Sequence, residues 1–329
     1  METSPIVSVR DLYRSFGEVQ AVRGISFEMR RGQVLGFIGA NGSGKTTTMR
    51  MLATLEVPDT GTVEICGHDI LNAPTEVRQK IGWMPDTFGA YPSTTVFEYL
   101  DFYGRAFGYR GSERLKRLQE VMDFTDLTSL ADRPMDKLSK GMGQRLCVGR
   151  TLMHDPEILL MDEPAAGLDP KARIEFKRLV RLLAEQGKTI FISSHILSEL
   201  GEMCNTLLFI DAGRIVHYGS AESLQQDMTV SGTVVTVQLA GDRELLRQWA
   251  AAAPGVSLVE MLKSGARLRL DGSSAGDAAG LLKKMVNDGL PVADFHRETR
   301  KLEDAFVDML KKVQPLRETA PPPLPEKEP

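Results

Sequence analysis

The feature that most constrains this chain is a glycine-rich segment at residues 39–46, with the sequence GANGSGKT. It follows an apolar run at residues 33–38 that predicts a strand, and it precedes a run with the period of an amphipathic helix. Glycines in such a turn let backbone N–H groups approach an anion without side chains in the way. The amino end of the following helix adds about half a positive charge. The segment therefore predicts a phosphate-binding loop in an α/β fold.

The loop matches the pattern G-x-x-x-x-G-K-[ST], in which the polar residues have distinct roles. Lys45 can reach the β- and γ-phosphates of a nucleotide, and the Thr46 hydroxyl can ligate Mg²⁺. We therefore predict that the loop binds ATP and Mg²⁺. The alternative, a glycine-rich turn without a ligand, is weakened by the strand before the loop and the helix after it. The predicted nucleotide-binding residues of the loop are Gly39, Asn41, Gly42, Ser43, Gly44, Lys45, Thr46 and Thr47.

A pair of acidic residues, Asp162 and Glu163, follows the apolar residues 158–161. The apolar run predicts a central strand, and open α/β sheets bind ligands at the carboxyl ends of their strands. On its own, such a pair is typical of a solvated turn. Together with the loop it indicates a catalytic site, in which Asp162 holds Mg²⁺ and Glu163 orients or deprotonates the attacking water. Lys45 joins the predicted catalytic set because it reaches the γ-phosphate.

In their order along residues 6–220, these motifs resemble those of ATP-binding cassettes, the ATPase subunits of ABC transporters. The segment LSKGM at residues 138–142 is similar to the family signature. The resemblance implies that Ser139 and Gly141 start a helix and reach across a dimer to the γ-phosphate held by a second copy, where a helix N-terminus favours an anion. Lys140 departs from the glycine that is commonest there, and its side chain could point outward. Without the other motifs, the segment would indicate only a helix cap.

Three further residues take their expected roles from the same resemblance. Asp169, in the sequence GLDP, is similar to the family's dimer-contacting D-loop. His195 ends an apolar run and matches the switch histidine that contacts the γ-phosphate, although a lone histidine is more often structural. Phe16, before Gly17, matches the aromatic ring that stacks on adenine. Tyr13 lies nearby, and a core role for Phe16 stays open.

One position departs from the family's pattern. Asp86 stands where the family usually has a glutamine. A carboxylate is a harder metal ligand than an amide, but it adds repulsion near the phosphates of ATP. Our hypothesis is that Asp86 contacts Mg²⁺ or a water molecule and senses the transport partner. The alternative is an acid in a solvated loop.

The expected fold class is an α/β P-loop NTPase cassette at residues 1–225, with a helical subdomain at about residues 95–152. A β-α-β-β-α-β order predicts a small ferredoxin-like α+β domain at residues 226–313, and the proline-rich tail at 314–329 is expected to be disordered. The expected elements of the second domain are strands at residues 233–239, 256–262, 266–271 and 292–296, helices at 242–253 and 275–288, and a last helix carrying Leu302, Phe306 and Leu310.

The charge and hydropathy of the chain indicate which kinds of partner it can bind. No apolar run approaches the roughly 20 residues that cross a bilayer, and the N-terminus lacks the pattern of a secretory signal. The translocation path is therefore expected in another polypeptide, an integral membrane permease subunit. A net charge of −4 gives no global basic field for nucleic acid. Three widely spaced cysteines fit buried roles in a reducing cytosol.

The helical segment at residues 96–103, the LSKGM signature and the small C-terminal domain resemble the ABC-2 exporter branch. This implies an ATP-hydrolysing subunit that works as a homodimer at the cytoplasmic face of the cell membrane, bound through its permease. One alternative is a cassette ATPase acting on nucleic acid or the ribosome, which generally has tandem cassettes, coiled-coil insertions or basic arms. A regulatory module that does not hydrolyse ATP is another, and Glu163 and His195 argue against it.

Overall fold

The structure is a computed structural model that describes residues 4–87, 89, 91–220, 233–270 and 275–297. The chain divides between residues 220 and 221 into two compact units, which are treated separately below. The expected last helix and the proline-rich tail lie outside the described residues. The domain boundary at residue 225 stays a prediction.

The described part of the first unit contains ten strands and seven α-helices. The strands are β1 (Val7–Phe16), β2 (Val19–Met29), β3 (Val34–Ile38), β4 (Thr60–Ile65), β5 (His68–Asp69), β6 (Ile81–Met84), β7 (Ile158–Met161), β8 (Thr189–Ser194), β9 (Thr206–Asp211) and β10 (Arg214–Gly219). The helices are α1 (Lys45–Leu52), α2 (Pro74–Lys80), α3 (Val96–Ala106), α4 (Gly111–Phe124), α5 (Lys140–Leu152), α6 (Pro170–Glu185) and α7 (Leu197–Gly201).

Two sheets form this unit. The larger has the strand order β10-β9-β3-β8-β7-β6, and all its pairs are parallel except β9 with β10. Every residue of β3, β7 and β8 is buried, as expected for parallel strands covered on both faces. The smaller sheet is antiparallel, with the order β2-β1-β4-β5. The predicted α/β class is confirmed.

The core joins the two sheets through aromatic rings. The Phe191 ring on β8 lies 5.1 Å from the ring of Phe37 on β3 and 5.6 Å from that of Phe27 on β2, measured between centroids. Offset contacts at such distances stabilise a core beyond the area they bury. They hold the parallel sheet, which carries the phosphate loop, against the antiparallel one.

The first strand is longer than its sequence indicates. The apolar pattern ends at Val9, yet β1 continues to Phe16 by pairing with β2. The register shifts between Val9 and Leu12, and Asp11 adopts a left-handed φ of 47°. This bulge interrupts the alternation of apolar and polar residues from which strands are predicted. As a result, Phe16 lies at the end of a strand.

Three helices, α3 to α5, occupy most of residues 96–152 and pack on one another. They are tied to α6 by Arg145 on α5, which forms ion pairs with both Asp126 and Glu175. His154, after α5, stacks on Phe107 at the end of α3 with 4.2 Å between ring centroids. Across the part of the chain that the structure describes, no helix is both long and apolar enough to cross a bilayer.

The second unit has the order of elements that its sequence predicts. They are β11 (Thr233–Leu239), α8 (Glu244–Ala252), β12 (Val256–Met261), β13 (Gly265–Leu270), α9 (Ala275–Asn287) and β14 (Val292–Arg297). The antiparallel sheet has the order β12-β13-β11-β14, with the first and third strands in the centre as in ferredoxin-like folds. The Asp242 carboxylate accepts a hydrogen bond from the Glu244 N–H at 2.9 Å, at the start of α8.

Candidate active site

The phosphate loop is shaped by close backbone approaches. It connects the carboxyl end of β3 to the amino end of α1. A Cβ atom at Gly39 would lie 2.4 Å from the carbonyl oxygen of Ile210, and one at Gly44 would lie 2.5 Å from that of Ala21. Gly42 has open space around it but a φ of +78°. Neighbouring backbone therefore excludes side chains at two of these glycines, and conformation alone favours the third.

Lys45 lies inside the loop. It is 6% exposed, and its Nζ donates hydrogen bonds to the carbonyl oxygens of Gly39 at 2.8 Å and Ala40 at 3.2 Å. The same Nζ lies 3.4 Å from Oε1 of Glu163. The ammonium is thus turned toward the loop interior and the acidic residue after β7. The other predicted loop residues are placed as follows: Ser43 and Gly44 are buried, Thr47 is half-buried, and Asn41, Gly42 and Thr46 are exposed.

Asp162 is brought to the loop at the end of β7. It is 2% exposed, and its Oδ1 accepts a hydrogen bond of 2.7 Å from the Ser193 hydroxyl on the neighbouring β8. Burial raises the pKa of Asp162, whereas hydrogen bonds from Ser193 and Thr46 lower it. The negative charges of Glu163 and Asp86 raise the pKa further. The predicted ligands Thr46, Asp162 and Asp86 therefore lie near one another.

The chemistry of this group fits a hard divalent cation. A hydroxyl and carboxylate oxygens are the donors that Mg²⁺ prefers. A cation beside Asp162 would offset the burial and the neighbouring carboxylates that disfavour its charged form. Among the described residues, no cluster of three or more His, Cys, Asp or Glu side chains could hold a metal. A cation at Thr46 and Asp162 would also take ligands from phosphates and water.

Glu163 and His195 form a contact between two strand ends. The Oε2 atom of Glu163 lies 2.8 Å from the His195 Nδ1 and accepts a longer hydrogen bond, 3.4 Å, from the His195 N–H. The Glu163 side chain is 13% exposed and that of His195 43% exposed. Glu163 also has a left-handed φ of 47°, which aims it away from the direction of the strand. A carboxylate held between Lys45 and His195 can accept a proton from water.

The predicted residues of the signature and the D-loop lie at the starts of α5 and α6, which pack on each other. The Ser139 hydroxyl caps α5 by accepting a hydrogen bond from the Met142 N–H at 3.3 Å, and Asp169 caps α6 in the same way. A Cβ atom at Gly141 would lie 2.8 Å from the Cβ of Ala172 on α6. No hydrogen bond or ion pair between described residues joins Ser139, Gly141 or Asp169 to the phosphate loop.

The Lys140 side chain does not simply extend away from the signature. Its Nζ lies 2.5 Å from the place that a Cβ of Gly167 would occupy, in the segment before Asp169. Gly167 has a φ of +64°. The lysine in the signature is exposed, as it could be, and its ammonium lies against Gly167 in the D-loop of its own chain.

Phe16 does not lie in the core. The residue is 46% exposed at the end of β1, and the guanidinium of Arg14 lies 4.6 Å from the ring centroid. The nearby Tyr13 is also exposed, at 37%, and its hydroxyl lies 2.5 Å from the place that a Cβ of Gly24 would occupy. Of these two aromatic rings, Phe16 offers more surface to a ligand.

Some residues of the site were not given a role by the sequence. The Ser193 hydroxyl bridges Asp162 and the Glu163 N–H, from which it accepts a 2.8 Å hydrogen bond. The buried Glu199 accepts a hydrogen bond of 3.1 Å from Ser194 and lies 3.1 Å from Arg173 on α6. Parallel pairing of β7 with β8 is the signal that could have identified Ser193, since it sets the two strand ends side by side.

Sequence comparison links this arrangement to known proteins. The profile of the family described as "ABC transporter" matches residues 22–166. The Nod factor export ATP-binding protein I of Ralstonia nicotianae is 41% identical over 222 residues, which cover 68% of this chain and 69% of that protein. The linearmycin resistance ATP-binding protein LnrL of Bacillus subtilis is 33% identical over 239 residues, which cover 73% of this chain and 76% of that protein.

Solved structures give the same result. The cbiO1 protein of Clostridium perfringens, described as part of the ABC transporter complex cbiONQ, matches with a TM-score of 0.63 and 25% identity, covering 69% of this chain and 94% of its own. A dimeric ATP-binding cassette in a post-hydrolysis state, bound to ADP and Pi, matches with a TM-score of 0.59 and 26% identity. That match covers 65% of this chain and 98% of the other.

Proposed function

Because this chain belongs to the ATP-binding proteins of the ABC transporter family, we propose that it drives export through a separate membrane protein. As a member of that family it binds and hydrolyses ATP. The observation that carries the assignment of the site is the group formed by Lys45, Glu163 and His195, in which the carboxylate lies 3.4 Å from the ammonium and 2.8 Å from the imidazole.

In the proposed reaction, the backbone N–H groups of the loop and Lys45 hold the triphosphate. Thr46 and Asp162 would hold Mg²⁺, which when bound would neutralise charge on the phosphates. Glu163 accepts a proton as water attacks the γ-phosphorus, and the bond from that phosphorus to the β–γ bridging oxygen breaks. His195 keeps the Glu163 carboxylate oriented during the transfer. Phe16 stacks on adenine with the face that Arg14 leaves open.

The active form that we propose is a homodimer with two composite sites. Ser139, Gly141 and Asp169 lie at helix starts and, among the described residues, form no hydrogen bond or ion pair with the phosphate loop of their own chain. Helix N-termini attract anions, so Ser139 and Gly141 suit the γ-phosphate bound by a second copy, and Asp169 takes the dimer-contacting role of the D-loop. A symmetric dimer would complete both sites at once. The dimeric ADP-bound cassette that resembles this chain supports the arrangement.

Mixing two inactive variants tests this arrangement. Lys45→Ala damages the loop and Ser139→Arg damages the signature, so each homodimer should be inactive. In an equimolar mixture, half of the dimers are mixed and each has one intact site, which predicts about one quarter of the wild-type ATPase rate. A mixture no more active than its separate components, while the wild type hydrolyses ATP, would contradict the composite site. Lys45→Ala mixed with Lys45→Gln is the control.

The proposals that the protein drives export and binds a membrane partner are based on similar proteins. The names of the Nod factor and linearmycin relatives associate those proteins with export and drug resistance. The described residues contain no helix that could span a bilayer, so we assign the translocation path to a permease subunit. That subunit would hold the ATPase at the cytoplasmic face of the membrane, with its helices docked between the Asp86 loop and α3–α5. Where a neighbouring gene encodes a polytopic membrane protein, co-expression with that protein should move this chain to the membrane fraction; a chain that stays unbound would contradict the proposal.

A further inference from the structure

The aromatic ring of Phe16, which we propose stacks on adenine, has the charged side chain of Arg14 over one of its faces. The guanidinium carbon of Arg14 lies 4.6 Å from the centroid of the Phe16 ring. A cation at this distance over an aromatic face is attracted by the ring quadrupole. The Phe16 residue nevertheless keeps 46% of its surface exposed. Its ring therefore has one covered face and a free surface on which a base can stack.

Arg14 is itself held by two acids on another segment. Its Nη1 donates to Oδ1 of Asp59 at 2.7 Å, and its Nη2 donates to Oε1 of Glu56 at 2.6 Å. A planar guanidinium with both ends bound has little freedom to rotate. The Arg14 side chain is also mostly shielded from solvent, so these ion pairs are screened less than fully exposed ones. Glu56 and Asp59, which lie outside β1, thus fix the position of the Arg14 guanidinium over Phe16.

The supporting segment is fastened to β1 by its backbone as well. The Asp59 N–H donates to the Tyr13 carbonyl oxygen at 2.9 Å, and the second carboxylate oxygen of Asp59 accepts from the Ser15 N–H at 2.7 Å. This segment follows α1, the helix that starts in the phosphate loop. One continuous stretch of chain therefore runs from the phosphate site to the acids that hold Arg14.

The charges explain why Arg14 is suited to the base and not to the phosphates. Glu56 and Asp59 supply two negative charges within hydrogen-bond distance of its one positive charge. A cation compensated in this way attracts a triphosphate only weakly. Its remaining interaction is the contact with Phe16. Lysine could not reproduce it, because an ammonium lacks the two-ended planar geometry that spans both acids.

We propose that Arg14 is a positioning residue for the nucleobase: braced by Glu56 and Asp59, it fixes the Phe16 ring so that adenine stacks on the face opposite the guanidinium. The inference rests on the proposed function, in which Phe16 contacts the base. Fixing the ring in advance removes an ordering cost at the moment of binding. Arg14 therefore acts on recognition of the base and leaves binding of the phosphates unchanged.

The experiment compares a ligand that has a base with one that has none. Binding of ATP and of inorganic tripolyphosphate is measured for the full chain and for Arg14→Gln, Phe16→Ala and the double variant. We expect Arg14→Gln to weaken ATP binding about fivefold and tripolyphosphate binding not at all. In the absence of the ring, the Arg14 substitution should have no further effect on ATP. Arg10→Gln, which removes an exposed arginine from the same strand, is the matched control.

Each other outcome has a defined meaning. Equal weakening of ATP and tripolyphosphate, or additive effects in the double variant, would overturn the inference. If Phe16→Ala leaves ATP affinity unchanged while the wild type hydrolyses ATP, the inference fails and the ATPase function stands. A wild type that does not bind ATP would instead remove the proposed function. If Arg14→Gln does not fold, Arg14→Lys keeps the charge and is expected to show the same loss confined to ATP.

Discussion

The imidazole Nδ1 of His195 lies 2.8 Å from Oε2 of Glu163, a contact that joins the end of β8 to the end of β7. The other carboxylate oxygen of Glu163 faces the buried Lys45 at 3.4 Å. Glu163 is thus oriented from two sides, by groups on two further segments of the first unit. Changes at His195 should therefore affect the chemical step through Glu163 more than they affect nucleotide binding.

Replacing Glu163 with glutamine removes the proposed general base. We expect turnover to fall by about 10²-fold or more, since a positioned acid–base group contributes that much, with ATP affinity retained. His195→Ala should give a smaller loss of kcat with little change in affinity. Phosphate release and equilibrium ATP binding measure the two effects, and His68→Ala provides a histidine control on another strand. Undiminished ATPase activity in Glu163→Gln would refute its role.

The Mg²⁺ dependence of ATPase activity distinguishes the two interpretations of Asp86, a contact to Mg²⁺ or water and an acid in a solvated loop. Asp86→Ala should raise the Mg²⁺ concentration needed for half-maximal ATPase activity, because its charge reaches the proposed ligand Asp162. Asp162→Asn should abolish activity at any Mg²⁺ concentration. The exposed Asp132 gives a control substitution to alanine. If turnover and metal dependence are unchanged in Asp86→Ala, Asp86 is a solvated loop acid and our hypothesis is wrong.

The glycines of the loop should differ in their tolerance of alanine. At Gly39 the added methyl would meet the Ile210 carbonyl at 2.4 Å, so the loop must move and ATP binding should be lost. At Gly42 there is open space, and the cost is the left-handed conformation, about 1 kcal/mol. Thermal unfolding and ATP titration of Gly39→Ala and Gly42→Ala measure the contrast. Equal loss of binding in both variants would contradict the steric argument.

The stability of the first unit should depend on pH through His154. Burial lowers the pKa of His154 below its usual 6.5, and the charges of Arg117 and Lys188 act in the same direction. The unfolded chain therefore binds a proton at a pH where the folded chain does not. Stability due to His154 is full above pH 6.5 and falls as the pH is lowered toward its folded pKa, by up to about 1.4 kcal/mol per pH unit.

The measurement is the free energy of unfolding in urea between about pH 5 and pH 8 for the wild type and for His154→Gln. The free energy of unfolding of the variant should decrease less at low pH than that of the wild type, since glutamine does not titrate. Parallel curves for the two proteins would show that His154 does not contribute to it.

Sequence motifs were sufficient to predict the parts of the site that are formed by residues close together in the sequence. The phosphate loop needs glycines and a lysine at fixed spacing, and the pair Asp162 and Glu163 follows a buried apolar run. The order of elements in the second unit was predictable for the same reason, because its apolar periods are regular. The assignments of individual site residues to ligands remain predictions, which the substitutions above test.

The features that the sequence did not predict depend on contacts between residues far apart in the chain. The bulge at Asp11 hides the continuation of β1. The support of Phe16 by Arg14 depends on acids more than forty residues further along, and no local pattern marks such a contact. The position of Lys140 over Gly167 is likewise set by the packing of α5 against α6.

Lys45 also ties together the backbone of the phosphate loop. Its ammonium is a ligand of the loop's own carbonyl groups, those of Gly39 and Ala40. A triphosphate must therefore compete with two internal acceptors for the same three protons. Substitutions at this position therefore remove two hydrogen bonds within the loop together with a phosphate contact.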